Sequence, residues 1–195
     1  MEKMPELIDG FSQVEYLTVF NAIIFGVIAS EFFNGWGTMV RYRDTIKIYW
    51  LHLAWSIFAF LTLIQNWFAN WPRTHYINDS ILTFLWSLVP MFLFHLISVI
   101  IFPGAKYIDN IDFKQYYIKN ARALYLVFGI YLISTIIGPL VYKDVGNVLE
   151  QNILRLTGIA LCFTAVYFKK TLWYQALFLI LMYIGLIVFV TAIPK

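Results

Sequence analysis

Charge is scarce in this chain: Lys, Arg, Asp and Glu make up 13% of its 195 residues, against roughly 25% in an ordinary soluble domain. Because 61% of the residues are hydrophobic, too little polar surface remains to cover a water-soluble core of this size. That excludes a soluble globule and indicates an all-α integral membrane protein with the lipid bilayer as its surroundings. Cysteine is limited to Cys162, in an apolar run, so no disulfide within the chain can form and the redox compartment is unreadable. The signatures GxSxG, HExxH and CxxC and a phosphate-cradling glycine loop are all missing. So are a helix with arginine at every third position and a TVGYG-like filter. An enzyme is therefore disfavoured, and no catalytic residue or cofactor is expected. The net charge of +3 is too small for a nucleic-acid footprint and serves as a topology signal. MEKMPELIDG, at the start, has three acids and one lysine. This is the wrong sign for a signal peptide, so the first hydrophobic segment is expected to stay in the mature protein.

What the sequence has in abundance is long apolar runs. Six can be marked: Val14 to Thr38, Ile46 to Trp71, Ile81 to Phe102, Ala121 to Val141, Val148 to Phe168 and Leu172 to Ile193. At about 20 residues per crossing they predict a single six-transmembrane-helix bundle over residues 1–195. The many short alternating strands of a barrel are absent. Nine cations (Arg41, Arg43, Lys47, Lys106, Lys114, Lys119, Arg122, Lys169 and Lys170) fall on the odd-numbered connections, and five (Lys3, Arg73, Lys143, Arg155 and Lys195) on the other side. The positive-inside rule then puts both termini on the outer side of a plasma or inner membrane. Aromatic residues fall near the expected boundaries, Trp36, Trp50 and Trp173 on the inner side and Trp67 and Trp71 on the outer. In the third connection, the longest and most polar, Asp112 is placed to cap a helix whose first turns carry Lys114 and Lys119.

The second run is the most informative. At 100° per residue His52, Ser56, Ala59, Leu63, Asn66 and Asn70 share one narrow face, opposite Trp50, Ala54, Ile57, Leu61, Ile64 and Phe68. A short loop makes the first two helices antiparallel neighbours. With that loop centred near Tyr42, residues at equal depth have numbers adding to about 84. Glu31 then faces His52, Thr18 faces Asn66 and Glu15 faces Asn70, while Asn21 lies within a turn of Asn66. Glu31 sits about one and a half turns inward from Trp36, roughly 7 Å deep, where a carboxylate is costly unless paired, protonated or wetted. The same reasoning brings His95 near the depth of Ser56 and Arg122 to the same side.

An inner cluster of Glu31, His52, His95 and Arg122 is therefore expected, continued outward by Glu15, Asn21, Asn66, Asn70 and Arg155. Three readings follow. In the first, the seam between helices one to three conducts protons, small ions or a small polar solute, as in a channel or transporter. In the second, the seam is helix-packing glue in a non-catalytic membrane subunit or effector whose basic inner loops bind a cytoplasmic partner. The third is a metal site at Glu31, His52 and His95, disfavoured because no short ligand spacing accompanies it. Ala22, Gly26 and Ser30 form a small-residue stripe about 100° from Glu31, a close-packing face that could serve a homo-oligomer.

Overall fold

The computed structural model describes residues 7–8, 11–70, 80–104, 111–142, 149–168 and 171–192. Among the described residues six helices run up and down: α1 Gln13–Arg41, α2 Trp50–Asn70, α3 Ile81–Ile101, α4 Phe113–Val141, α5 Leu149–Tyr167 and α6 Leu172–Ala192. A two-residue antiparallel ladder, β1 Leu7–Ile8 with β2 Phe11–Ser12, precedes α1. Helices α1, α2, α3, α4 and α6 are long and apolar enough to cross a membrane, so the fold is compatible with a multi-pass membrane bundle. In α5 the described apolar stretch is shorter, Asn152–Tyr167. Helices α1, α3 and α5 finish at one end of the bundle, called here the Arg41 end. The other is the Asn70 end.

Local chemistry sets the helix starts. Ser80 opens α3 with a reciprocal cap: its hydroxyl accepts from the Thr83 N–H at 3.2 Å while its own N–H donates to Thr83 Oγ1 at 3.1 Å. Asp112 Oδ1 accepts from the N–H groups of Lys114, at 2.9 Å, and Gln115, at 3.2 Å. Helix α4 thus begins at Phe113, two turns before the apolar run at Ala121. Those turns are amphipathic, with Phe113 and Tyr117 buried and Lys114 and Lys119 exposed. Helix α2 starts later than its apolar run, at Trp50 rather than Ile46. The Lys47 backbone is engaged elsewhere: its N–H donates to the Ile111 carbonyl at 3.0 Å, and its carbonyl accepts from Phe113 at 3.1 Å. Ile46 joins Met39 and Phe113 in a small apolar cluster beneath that tie.

The longer α1–α2 turn changes the register. Trp36 donates its indole N–H to Ser56 Oγ at 2.9 Å, Phe32 meets Phe60 at 5.6 Å and Phe25 meets Trp67 at 4.9 Å. Numbers at one depth therefore add to 92 in each pair, not 84, because the turn is centred near residue 46 rather than Tyr42. Glu31 stands level with Leu61, more than two turns from His52. Helix α1 also packs more extensively on α3 than on α2. Asn21 Nδ2 donates to Ser87 Oγ at 3.4 Å, and the Phe102 ring covers Gly35. The polar face of α2 does point inward, with His52, Ser56, Ala59, Leu63 and Asn66 all buried and Trp50, Ile57, Leu61 and Phe68 exposed. Trp55, five residues into α2, is fully enclosed. It contacts Phe58, Tyr125 and Phe128 at 5.5 Å each and stacks on Phe178 at 5.8 Å.

Candidate functional site: a cavity between α2 and α6

The residues expected to form an inner cluster are dispersed. Glu31 is exposed on α1, and no ion pair joins it to another described residue. His52, 1% exposed, uses Nε2 for the Ile101 carbonyl at 2.8 Å. Its ring lies 4.6 Å from that of Phe113 and its Nδ1 has no partner among the described residues. His95 is half-buried on α3 and Arg122 is exposed on α4. Among the described residues no three His, Cys, Asp or Glu side chains come together to hold a metal ion. Where a seam between α1 and α2 is expected, the space is filled by Phe32, Trp36, Phe60 and Phe102, in ring contact with one another.

The outer set divides. Glu15 is exposed in the first turn of α1 and Asn21 is held by Ser87 of α3. Asn66, Asn70 and Arg155 instead share a cavity of about 320 Å³ at the Asn70 end. Its walls come from five helices: Thr62, Gln65, Asn66 and Asn70 of α2, Trp86 and Pro90 of α3, Tyr131, Ser134 and Thr135 of α4, Arg155, Thr157 and Leu161 of α5, and Met182, Gly185 and Phe189 of α6. The cavity descends to Phe58 and Phe128. Below them the aromatic layer of Trp55, Tyr125 and Phe178 closes it toward the Arg41 end.

Each wall has a traceable origin. Pro90 and Pro139 carry no N–H, so the carbonyls of Trp86 and Thr135, four residues earlier, lose their helical donors beside the cavity. Thr62, Ser134 and Thr135 donate their hydroxyl protons to the carbonyls of Phe58, Tyr131 and Leu132 at 2.7–2.8 Å. This is the usual way such side chains satisfy themselves on a helix. Asn66 is 6% exposed and its Nδ2 has no partner among the described residues. Arg155, 8% exposed, is the one ionised side chain among the described lining residues. Its Nη1 donates to Asn152 Oδ1 at 3.0 Å, and its guanidinium lies 5.6 Å from the centre of the Phe189 ring.

No protein-family model matches the chain, and no curated protein or solved structure does either. The cavity is therefore judged on its chemistry. Its described walls hold no carboxylate, imidazole or thiol. They do offer one guanidinium, several amides and hydroxyls, and apolar surface, a combination suited to holding a small ligand. Trp86, Tyr131 and Gly185 escape sequence reasoning, because an aromatic or a glycine in an apolar helix carries no polar signal. The cue that existed was proline at 90 and 139, each beside a wall residue.

Proposed function

We propose that the protein is a multi-pass membrane protein, with both termini on the outer side, that acts as a small channel or transporter. In this reading a small polar solute or ion enters the cavity between α2 and α6 from the Asn70 end. The observation that carries it is a ligand-sized cavity containing a buried arginine and closed at mid-bundle by side chains. Trp55, Phe58, Phe128 and Phe178 form the closure, so release toward the Arg41 end requires those rings to change rotamer or α6 to rock. The orientation is supported by Arg41, Arg43, Lys47, Lys114, Lys119 and Arg122, all exposed at the Arg41 end.

The test is flux into liposomes of purified protein, using a panel of glycerol, urea, chloride, acetate and protons. A Cβ at Gly185 would meet no atom within 4 Å, and the same holds for Gly26 on the far side of α1. Gly185→Phe should fill the cavity and return flux to the protein-free rate, and Gly26→Phe should leave it intact. If no member of the panel exceeds the protein-free rate, or Gly185→Phe conducts as well as the unaltered protein, the reading fails.

The basic end supports a second reading, a membrane subunit that docks a cytoplasmic partner. Arg43 pairs at 3.8 Å with Asp44, the one ion pair among the described residues, so most of that positive surface faces outward. Lys169 and Lys170, also expected there, lie outside the described residues. Loss of function in the native host on neutralising Lys114, Lys119, Lys169 and Lys170, with Gly185→Phe silent, would favour docking over transport.

A further inference from the structure

We infer that the cavity takes a neutral amphiphile, a hydroxyl-bearing head on a short hydrocarbon tail, which enters sideways between α5 and α6; this rests on the reading of the cavity as a solute site. Two observations point there independently. The first is the balance of donors and acceptors on the walls. Arg155 already has partners, Asn152 Oδ1 at 3.0 Å and the Phe189 ring among them, so its charge is not assigned to the ligand. The other polar groups of the described walls are neutral. Thr62, Ser134 and Thr135 commit their hydroxyl protons to carbonyls of their own helices, which leaves each oxygen only lone pairs to offer. The carbonyls of Trp86 and Thr135 have lost the helical N–H that Pro90 and Pro139 lack. Donors stand beside these acceptors. Asn66, 6% exposed, has no partner for Nδ2 among the described residues, and the Trp86 indole is a donor only. A hydroxyl gives a proton and offers lone pairs at one atom. It therefore matches both kinds of group, and it satisfies Asn66 whichever way that amide is turned. A carboxylate or an ether brings no proton and would leave the acceptors unmatched.

The second observation is the shape of the opening. Lining residues Leu154 and Thr157 of α5 and Leu181, Ile184 and Val188 of α6 are also exposed. The cavity thus reaches the flank of the bundle, where hydrocarbon would lie. Much of the remaining wall is apolar, with Leu132, Leu161, Met182 and Leu186 contributing. A polyol without a tail would leave this surface wet, whereas an alkyl chain covers it while its hydroxyl reaches Asn66. The volume of about 320 Å³ is at the lower end for small-molecule pockets, which limits the tail to a short one.

The experiment measures saturable binding of radiolabelled 1-octanol to the full chain in lipid nanodiscs at pH 7. Unlabelled octanol, heptyl methyl ether, octanoate (ionised at this pH) and glycerol serve as competitors. Potencies of the tailed compounds are corrected for their partition into protein-free nanodiscs. Octanol should compete about ten-fold better than the ether, its isomer without an O–H, which is the worth of one hydrogen bond. It should also compete about ten-fold better than octanoate, whose charge must be desolvated, and about a hundred-fold better than glycerol, which has no tail. Asn66→Leu should bring octanol down to the level of the ether and leave the ether unchanged. Where Asn66→Leu does not fold, Pro139→Ala, which returns an N–H to the Thr135 carbonyl, is expected to narrow the same preference. Gly185→Phe should abolish binding of octanol and ether alike. The ether competing as well as octanol, or a preference untouched by both Asn66→Leu and Pro139→Ala, overturns the hydroxyl head and leaves the solute site standing. Octanoate competing as well as octanol overturns the neutral head, and glycerol doing so overturns the tail in favour of a free polyol. Absence of saturable binding, with Gly185→Phe still blocking flux, refutes the amphiphile alone; with flux also insensitive to Gly185→Phe, the solute site falls too.

Discussion

Gly35→Ala is the most incisive test of how α1 sits on α3. A Cβ at Gly35 would fall inside van der Waals contact with Cγ, Cδ1 and Cδ2 of Phe102. The ring cannot simply swing aside, because it is edged by Phe32 at 5.8 Å, His52 at 6.2 Å and Trp36 at 6.5 Å. Its backbone is fixed as well, as the C-cap of α3 with its N–H on the Ser98 carbonyl at 2.9 Å. The added methyl must therefore push the helices apart or force the ring off its rotamer, and overpacking of this kind costs about 1–3 kcal/mol. Against it stands the gain from replacing a helical glycine by alanine, about 0.5–1 kcal/mol. At Gly26 and Gly37, on the same helix, an added methyl would have nothing within 4 Å. Their alanine variants make the same propensity gain without the clash. The difference between Gly35→Ala and these two thus isolates the steric cost, and it should fall at about 1–3 kcal/mol. Reversible unfolding in mixed micelles of rising SDS fraction, followed by helical circular dichroism, measures it. Adding Phe102→Leu should recover much of the loss, with a coupling of about 0.5–3 kcal/mol. If Gly35→Ala is within about 0.5 kcal/mol of Gly26→Ala, Phe102 does not cover Gly35 and the α1–α3 packing described above is wrong.

Two further outcomes follow. Tyr117 and Tyr125 share a buried hydroxyl–hydroxyl hydrogen bond of 2.7 Å, so either Tyr→Phe change leaves one hydroxyl unsatisfied and should cost about 1–3 kcal/mol. The double variant should cost less than the two added together, since no orphan remains; full additivity in the same unfolding assay would show the bond to be absent. Glu31→Gln should change stability by no more than about 0.5 kcal/mol and leave liposome flux unaltered, because Glu31 is exposed on α1. A loss of flux in that variant would return the path to the seam between α1 and α2.

The helices were legible because burial of apolar residues needs no knowledge of neighbours, and the inward face of α2 was legible for the same reason. Asp112 as a cap was equally local. Glu31 opposite His52 was not, since it depended on where a turn is centred. The turn is lengthened by a strand-like tie between Lys47 and the Ile111–Phe113 backbone, a contact from far along the chain. Moving the centre by about four residues moves facing positions by twice as many. Every polar match along the seam therefore changed partner together. Asn66, Asn70 and Arg155 came together for a reason the α1–α2 pairing did not contain: α2 meets the later helices on its polar side, while α1 turns to α3.

The cavity itself follows from how α5 and α6 are held. Helix α5 lies close along α4, where Gly129 faces Cys162 and Gly158 faces Leu132, leaving a methyl at Gly158 only 2.9 Å from the leucine. Helix α6 is anchored differently: Phe178 stacks on Trp55, and the Tyr183 hydroxyl donates to the Ala54 carbonyl at 2.9 Å. Both anchors lie at or below mid-bundle. Past Tyr183, Gly185 faces open space and lines the cavity. A buried guanidinium is costly in an apolar bundle unless it is wetted or paired, and among the contacts of Arg155 are the Asn152 side-chain carbonyl at 3.0 Å and the Phe189 ring.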